Sequence, residues 1–163
     1  NHEHCIETAL TQARERCQAQ GARLTSQREQ VFTLIWQSHK PLGAYTLMDM
    51  LAAQSTKRVA PPTVYRALDF LLEHKLIHRI HSLNAFIGCT HPDDHHGNSF
   101  MICEDCGIAI EFASDQQDQN MIHTADKFGF TVKSQSIEVV GCCQQCQSQR
   151  VADDSAETAS NTL

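Results

Sequence analysis

The sequence predicts an α+β protein in two parts, an N-terminal winged helix-turn-helix unit followed by a small C-terminal α+β unit built round four cysteines. Three observations carry this. Apolar residues recur at helical spacing in four segments before residue 75, and two short strand-like stretches follow. Two Cys-x-x-Cys pairs, Cys103/Cys106 and Cys143/Cys146, stand in the second half with 36 residues between them. The charge also divides: residues 1–90 hold ten Lys/Arg against seven Asp/Glu, whereas residues 91–163 hold three against twelve.

Ile6, Leu10, Ala13 and Cys17 keep helical spacing and Gly21 suits a helix end, so the spacing predicts a helix over 3–20 with Cys17 in the core. The capping box Ser26-x-x-Glu29 opens a second helix that carries Val31, Phe32, Leu34 and Ile35 and closes before Pro41 and Gly43. A third helix over 45–54 turns Leu47, Met50 and Leu51 inward, and a polar linker, 55–59, follows it. Pro61 and Pro62 start a fourth, over 62–74, with Val64, Leu68, Leu71 and Leu72 on one face and Arg66, Asp69 and Glu73 opposite. Stretches 76–82 and 84–90, joined at Leu83 and Asn84, suit a hairpin wing. Helices three and four then form the helix-turn-helix pair, with the fourth as reader.

Beyond a His/Asp loop from residue 91, strands are expected over 99–103 and 107–112. A helix over 115–128 is expected to turn Met121, Ile122, Ala125 and Phe128 inward, and a strand to run from Phe130 to Val140. The expected domains are 1–84 (DNA-binding winged helix), 85–97 (wing end and hinge) and 98–150 (dimerisation and metal binding). The tail, 151–163, is too poor in apolar residues to offset its ordering entropy and is expected to be disordered.

No run of about 18 apolar residues offers a membrane span, and the first residues are polar rather than signal-like, so the expected location is the cytoplasm. There the eight cysteines read as metal ligands before disulfides. Two knuckles supply four soft thiolates, and the two-residue spacer lets both sulfurs of a knuckle reach one zinc at about 2.3 Å. Redox motifs and disulfides are the competing readings, and Cys142, beside Cys143, leaves a Cys142-x-x-x-Cys146 pairing open. Four protein ligands leave no open position, so such an ion would clamp rather than catalyse, and an enzyme is not expected.

A second constellation is dispersed: His78 and Cys89 on the wing, His91, Asp93, Asp94, His95 and His96 in the loop, and Glu111 beyond. Ligands drawn from wing, hinge and second domain would couple metal occupancy to domain orientation. The basic first half suits a polyanionic partner. Arg66 can reach a guanine edge, and Thr63, Tyr65, Arg28 and Tyr45 phosphates or flanking bases. Asp69 and Glu73 would repel phosphates, which directs the N-terminal end of the fourth helix to the groove.

At Pro61-Pro62-Thr63-Val64-Tyr65-Arg66-Ala67-Leu68, continuing Asp69-Phe70-Leu71-Leu72-Glu73, the chain resembles the ferric uptake regulator superfamily, and within it the zinc uptake branch. The likeness covers about residues 5–150 and includes Arg23-Leu24-Thr25-Ser26-Gln27-Arg28 and both knuckles. It implies a homodimer on double-stranded operator DNA, with a structural zinc on Cys103, Cys106, Cys143 and Cys146 and a regulatory zinc on His78, Cys89, His96 and Glu111, two ions per chain. It further implies a palindromic operator controlling zinc-uptake genes, and no membrane or small organic ligand. A thiolate at Cys89 favours zinc over iron or manganese. His95 and His91 stay open as substitutes for His96. Departures are the extra loop ligands and Ser26, where many relatives have proline. An iron- or peroxide-sensing regulator of the same superfamily is the alternative, and a zinc hydrolase with Glu111 as base lacks an open coordination position.

Overall fold

The chain divides into two compact units, Asn1–His96 and Gly97–Leu163. The computed structural model describes residues 2–54, 59–90, 98–113 and 115–150. The expectations for the hinge loop and the tail, and most of those for the linker at 55–59, lie outside these residues. No helix among them is long and apolar enough to cross a membrane.

The first unit runs α1 (His2–Ala19), α2 (Ser26–Gln37), β1 (Leu42–Gly43), α3 (Ala44–Gln54), α4 (Pro61–Glu73), β2 (Ile77–Ile80) and β3 (Ala85–Gly88). Gly21, at φ 67°, ends α1 in a Schellman turn: Ala22 N–H bonds Cys17 O at 2.8 Å and Gly21 N–H bonds Gln18 O at 3.1 Å. The α2 cap corrects the sequence reading by one residue. Thr25, not Ser26, is the N-cap, and its hydroxyl accepts from Arg28 N–H at 3.5 Å. Glu29 is thereby one position too late to reach back to the cap, and its carboxylate instead takes both ends of the Arg14 guanidinium, at 2.6 and 2.9 Å.

Helix α2 lies at the centre, with Val31, Phe32, Leu34 and Ile35 all buried against α1, α3, α4 and β3. Leu47, Leu51, Val64, Ala67, Leu68 and Leu71 complete the core, and Cys17 joins it as expected. Burial of each large aliphatic side chain contributes about 1.5–3 kcal/mol. Strands β2 and β3 form the hairpin, in register Ile77↔Gly88 to Ile80↔Ala85. Its turn, 81–84, uses Asn84 at φ 46°. A third strand, β1, pairs with β3 at Leu42↔Phe86 and ties the start of α3 to the wing.

The second unit holds β4 (Asn98–Cys103), β5 (Ala109–Glu111), α5 (Asp115–Lys127) and β6 (Ser136–Gly141). Central β4 pairs antiparallel with β5 and parallel with β6, in register Asn98↔Ser136 to Cys103↔Gly141. Two expectations change here. The last strand begins at Ser136 rather than Phe130, and α5 buries no residue of its own. Met121, Ile122 and Phe128 are about half or more exposed, so their helical spacing marks an apolar face that this unit does not cover.

Gly88 lies against the indole of Trp36: a Cβ there would stand 2.6 Å from ring atoms Cε2 and Nε1. Gly88→Ala is therefore expected to cost about 1–3 kcal/mol through overpacking. A lower urea midpoint at unchanged slope is the measurement that checks it.

Candidate metal centres and nucleic-acid interface

The parallel pairing of β4 with β6 brings the two knuckles together. Cys103 ends β4 and Cys106 lies in the tight turn to β5, while Gly141, the partner of Cys103, is two residues from Cys143. Glu104 N–H bonds Gly141 O at 2.9 Å and closes this end of the sheet. Residues 144–150 then turn into helix and return Cys146 to the cluster. The four Sγ atoms lie within 4.8 Å of one another. Four sulfurs at about 2.3 Å from one ion in a tetrahedron stand about 3.8 Å apart. Cys106 Sγ and Cys143 Sγ are 3.8 Å apart, far beyond disulfide length, and all four thiols are free.

The four thiols are electrostatically unequal. Backbone amides of Cys106 and Cys143 point at Cys103 Sγ and hold its thiol down to about 6, the Cys143 amide at 3.3 Å. Cys146 is pushed the other way, first by its hydrogen bond with the Cys143 thiol and then by burial. Thiols this close cannot all ionise unless a positive charge offsets their repulsion. Cys142 is not one of the four sulfurs that lie mutually together. Its Sγ donates to Asp105 Oδ2 at 2.8 Å, which pushes the thiol up to about 11. Arg150 pairs with the other oxygen of the same carboxylate.

Of the predicted regulatory ligands, His78 and Cys89 meet within the first unit. Leu76 O accepts from Cys89 N–H at 3.1 Å and His78 pairs with Ile87, so the two are diagonal neighbours on one face of the hairpin. Both are buried, with donor atoms within 4.8 Å. Glu111 ends β5 in the second unit, half-buried and opposite Phe100. His96, with His91, Asp93, Asp94 and His95, lies outside the described residues.

The predicted nucleic-acid residues divide. Arg66 and Tyr65 are exposed on α4, Tyr45 is 77% exposed at the start of α3, and Thr63 is half-buried in the first turn of α4. Tyr45 and Tyr65 flank a cleft of about 220 Å³ that also takes in Asp69, Arg79 and Asn84. Arg79, which the sequence did not single out, faces outward on β2 and donates to Asn84 Oδ1 at 2.7 Å. Arg28 has intramolecular partners. Its guanidinium lies 3.6 Å from the Phe70 ring centroid and donates to Arg23 O at 2.6 Å, which braces α4 from behind.

A winged helix-turn-helix head, followed by a sheet closed at one end by two Cys-x-x-Cys knuckles, defines the class. The chain belongs to the ferric uptake regulator family, whose model matches residues 19–140. It is 36% identical over 138 residues to the zinc uptake regulation protein of Escherichia coli K12, covering 84% of this chain and 80% of that one. A zinc uptake regulation protein of Mycobacterium tuberculosis H37Rv is 29% identical over 133 residues, covering 80% of this chain and 98% of that one. A zinc uptake regulator solved with zinc and DNA superposes at a TM-score of 0.86 with 34% identity, over 90% of this chain and 97% of that one. The holo form of XcZur gives 0.79 at 35% identity, over 88% of this chain and 99% of that one. The chain is thus a regulator and not an enzyme.

Arg28→Ala removes a stacked cation and a carbonyl partner together and is expected to lower stability by about 1–2 kcal/mol. Arg28→Lys is expected to recover little of it in a denaturation series, because an ammonium neither stacks nor forks.

Proposed function

We propose that the chain is a zinc-responsive transcriptional repressor that binds palindromic operator DNA as a homodimer when its regulatory site is filled, controlling zinc-uptake genes in the bacterial cytoplasm. Support for the class comes from the relatives, zinc uptake regulators among them, one of which was solved on DNA with zinc. The observation that carries the choice of metal is the buried His78 beside the Cys89 thiol. An imidazole and a thiolate, completed by His96 and Glu111, make a shell softer than the nitrogen and carboxylate sets that hold iron or manganese. An iron- or peroxide-sensing member is the less favoured reading for the same reason.

Two zinc ions per chain follow. One is held by Cys103, Cys106, Cys143 and Cys146 and clamps the second unit; the other is held at the regulatory set and acts as the switch. Residues 1–84 serve as the DNA-binding domain, 85–97 as wing end and hinge, and 98–150 as the dimerisation domain. Met101, Ile110 and Val139, cross-strand neighbours on one sheet face and each about half exposed, support a partner subunit there. Arg66 on α4 reads a base edge, while Tyr65 and Thr63 on α4, Tyr45 on α3 and Arg28 on α2 hold phosphates or flanking bases; Arg28 also braces α4.

A gel-shift titration tests the switch. Operator affinity should collapse when a chelator empties only the regulatory site, and Cys89→Ser should show the same weak binding at any zinc level with the knuckle ion retained. Affinity indifferent to chelation would sink the idea. Arg66→Ala should weaken specific binding by about 1–3 kcal/mol, and an equal loss on every sequence would mark a phosphate contact instead.

A further inference from the structure

Cys142 is not needed for the four-cysteine cluster, yet its sulfur, that of Cys103 and a carboxylate oxygen of Asp105 lie within 4.8 Å of one another. We propose that Cys103, Asp105 and Cys142 form a second donor set, sharing Cys103 with the cluster, through which zinc enters and leaves it. This rests on the reading that the knuckles hold zinc.

The closed cluster explains the need for such a set. Cys103 and Cys146 are buried, and four thiolates fill a tetrahedral shell, so no ligand can approach without displacing one. Exchange therefore requires an entering donor. Cys142 supplies one that is already in place, half-buried and next in sequence to Cys143, so its attack is intramolecular. Asp105, at the turn after β4, is held by Arg150 with its other oxygen towards Cys142. Two sulfurs and one carboxylate oxygen leave a fourth position open to an acceptor from solution, which the cluster never does.

The exchange involves no redox change. Zinc passing to Cys142 Sγ would displace that thiol's proton along its hydrogen bond to Asp105 and on to water, and a knuckle sulfur would let go and take a proton up. Asp105, its proton passed on, would then supply its carboxylate oxygen as further knuckle bonds broke, with Cys103 attached throughout. The reverse order loads the site.

The test is the rate at which the zinc-loaded full chain, in a Cys89→Ser background that leaves only the knuckle ion, surrenders zinc to a chromogenic chelator. Metal analysis comes first, and a parent lacking the ion would sink the four-cysteine reading rather than this one. Cys142→Ser is expected to keep the ion at equilibrium but slow its release by about tenfold or more, the scale of outer-shell effects at metal sites. Asp105→Asn, which keeps every cysteine, should also slow it. Release from either variant as fast as from the parent, or faster, overturns the proposal; a faster rate would show that Cys142, Asp105 and Arg150 only brace the knuckles.

Discussion

Four sulfurs converging at one end of a three-stranded sheet are the constraint on which the second unit depends. Its apolar core is small. Among the described residues Phe100, Ile102 and Ala109 are buried there, α5 contributes nothing to it, and the remaining buried side chains are Ser99, Cys103 and Cys146. Burying Phe100 and Ile102 contributes about 1.5–3 kcal/mol each. A structural zinc on four thiolates contributes about 10–16 kcal/mol in small zinc-binding peptides, several times the two side chains together. On this reading the cation holds β4, β6 and the helical segment 144–150 together, and a partner subunit covers the apolar face.

The first unit is organised on the opposite principle. It has a continuous core centred on α2, closed by caps and Schellman turns, and no cluster of thiols is needed to complete it. A second such turn follows α4, with Lys75 at φ 56° and Leu76 N–H bonded to Leu71 O at 2.9 Å, and it delivers the chain straight into β2. Arg16 Nε donates to His74 O at 3.0 Å at the same corner, so α1 fixes where α4 ends and where the wing begins. The His78 and Cys89 pair is thereby mounted on a hairpin whose base is the C-terminus of the reading helix. Whatever binds those two side chains acts on an element packed directly against α4.

Sequence patterns revealed what is local. The four helices, the hairpin and both knuckles follow from periodicity and spacing within short windows, and the helix ends were misplaced by only a residue or two. What escaped depends on distance along the chain or on competing side chains. Thr25 and Ser26 are both good caps by chemistry; Thr25 takes the cap, and Glu29 meets Arg14 on another helix, a partner no local window contains. Strand β1 is too short for any period to declare it. Met121, Ile122 and Phe128 show the right spacing for an apolar face, but spacing does not say what covers that face. The juxtaposition of Cys142 with Asp105, and of Arg28 with Phe70, arises from parallel strand pairing and helix packing, and neither has a sequence signature.

The two proposed zinc sites need different ligands because they perform opposed tasks. A clamp must keep its ion in every functional state, which favours four thiolates in a closed shell; a sensor must lose its ion over the range it reports. Moving a two-state protein from 1:99 to 99:1 requires about 5.5 kcal/mol of differential binding. A mixed shell of imidazole, thiolate and carboxylate suits that role, since its nitrogen and oxygen donors hold zinc less tenaciously than sulfur while Cys89 still discriminates against harder ions. Linkage then applies in both directions. If zinc at His78 and Cys89 raises operator affinity by a given factor, operator DNA raises zinc affinity by the same factor. The repressor seated on its operator therefore holds the sensing ion more tightly than the free protein does, and with operator present half-repression falls at a lower free-zinc level than the one that half-fills the free protein.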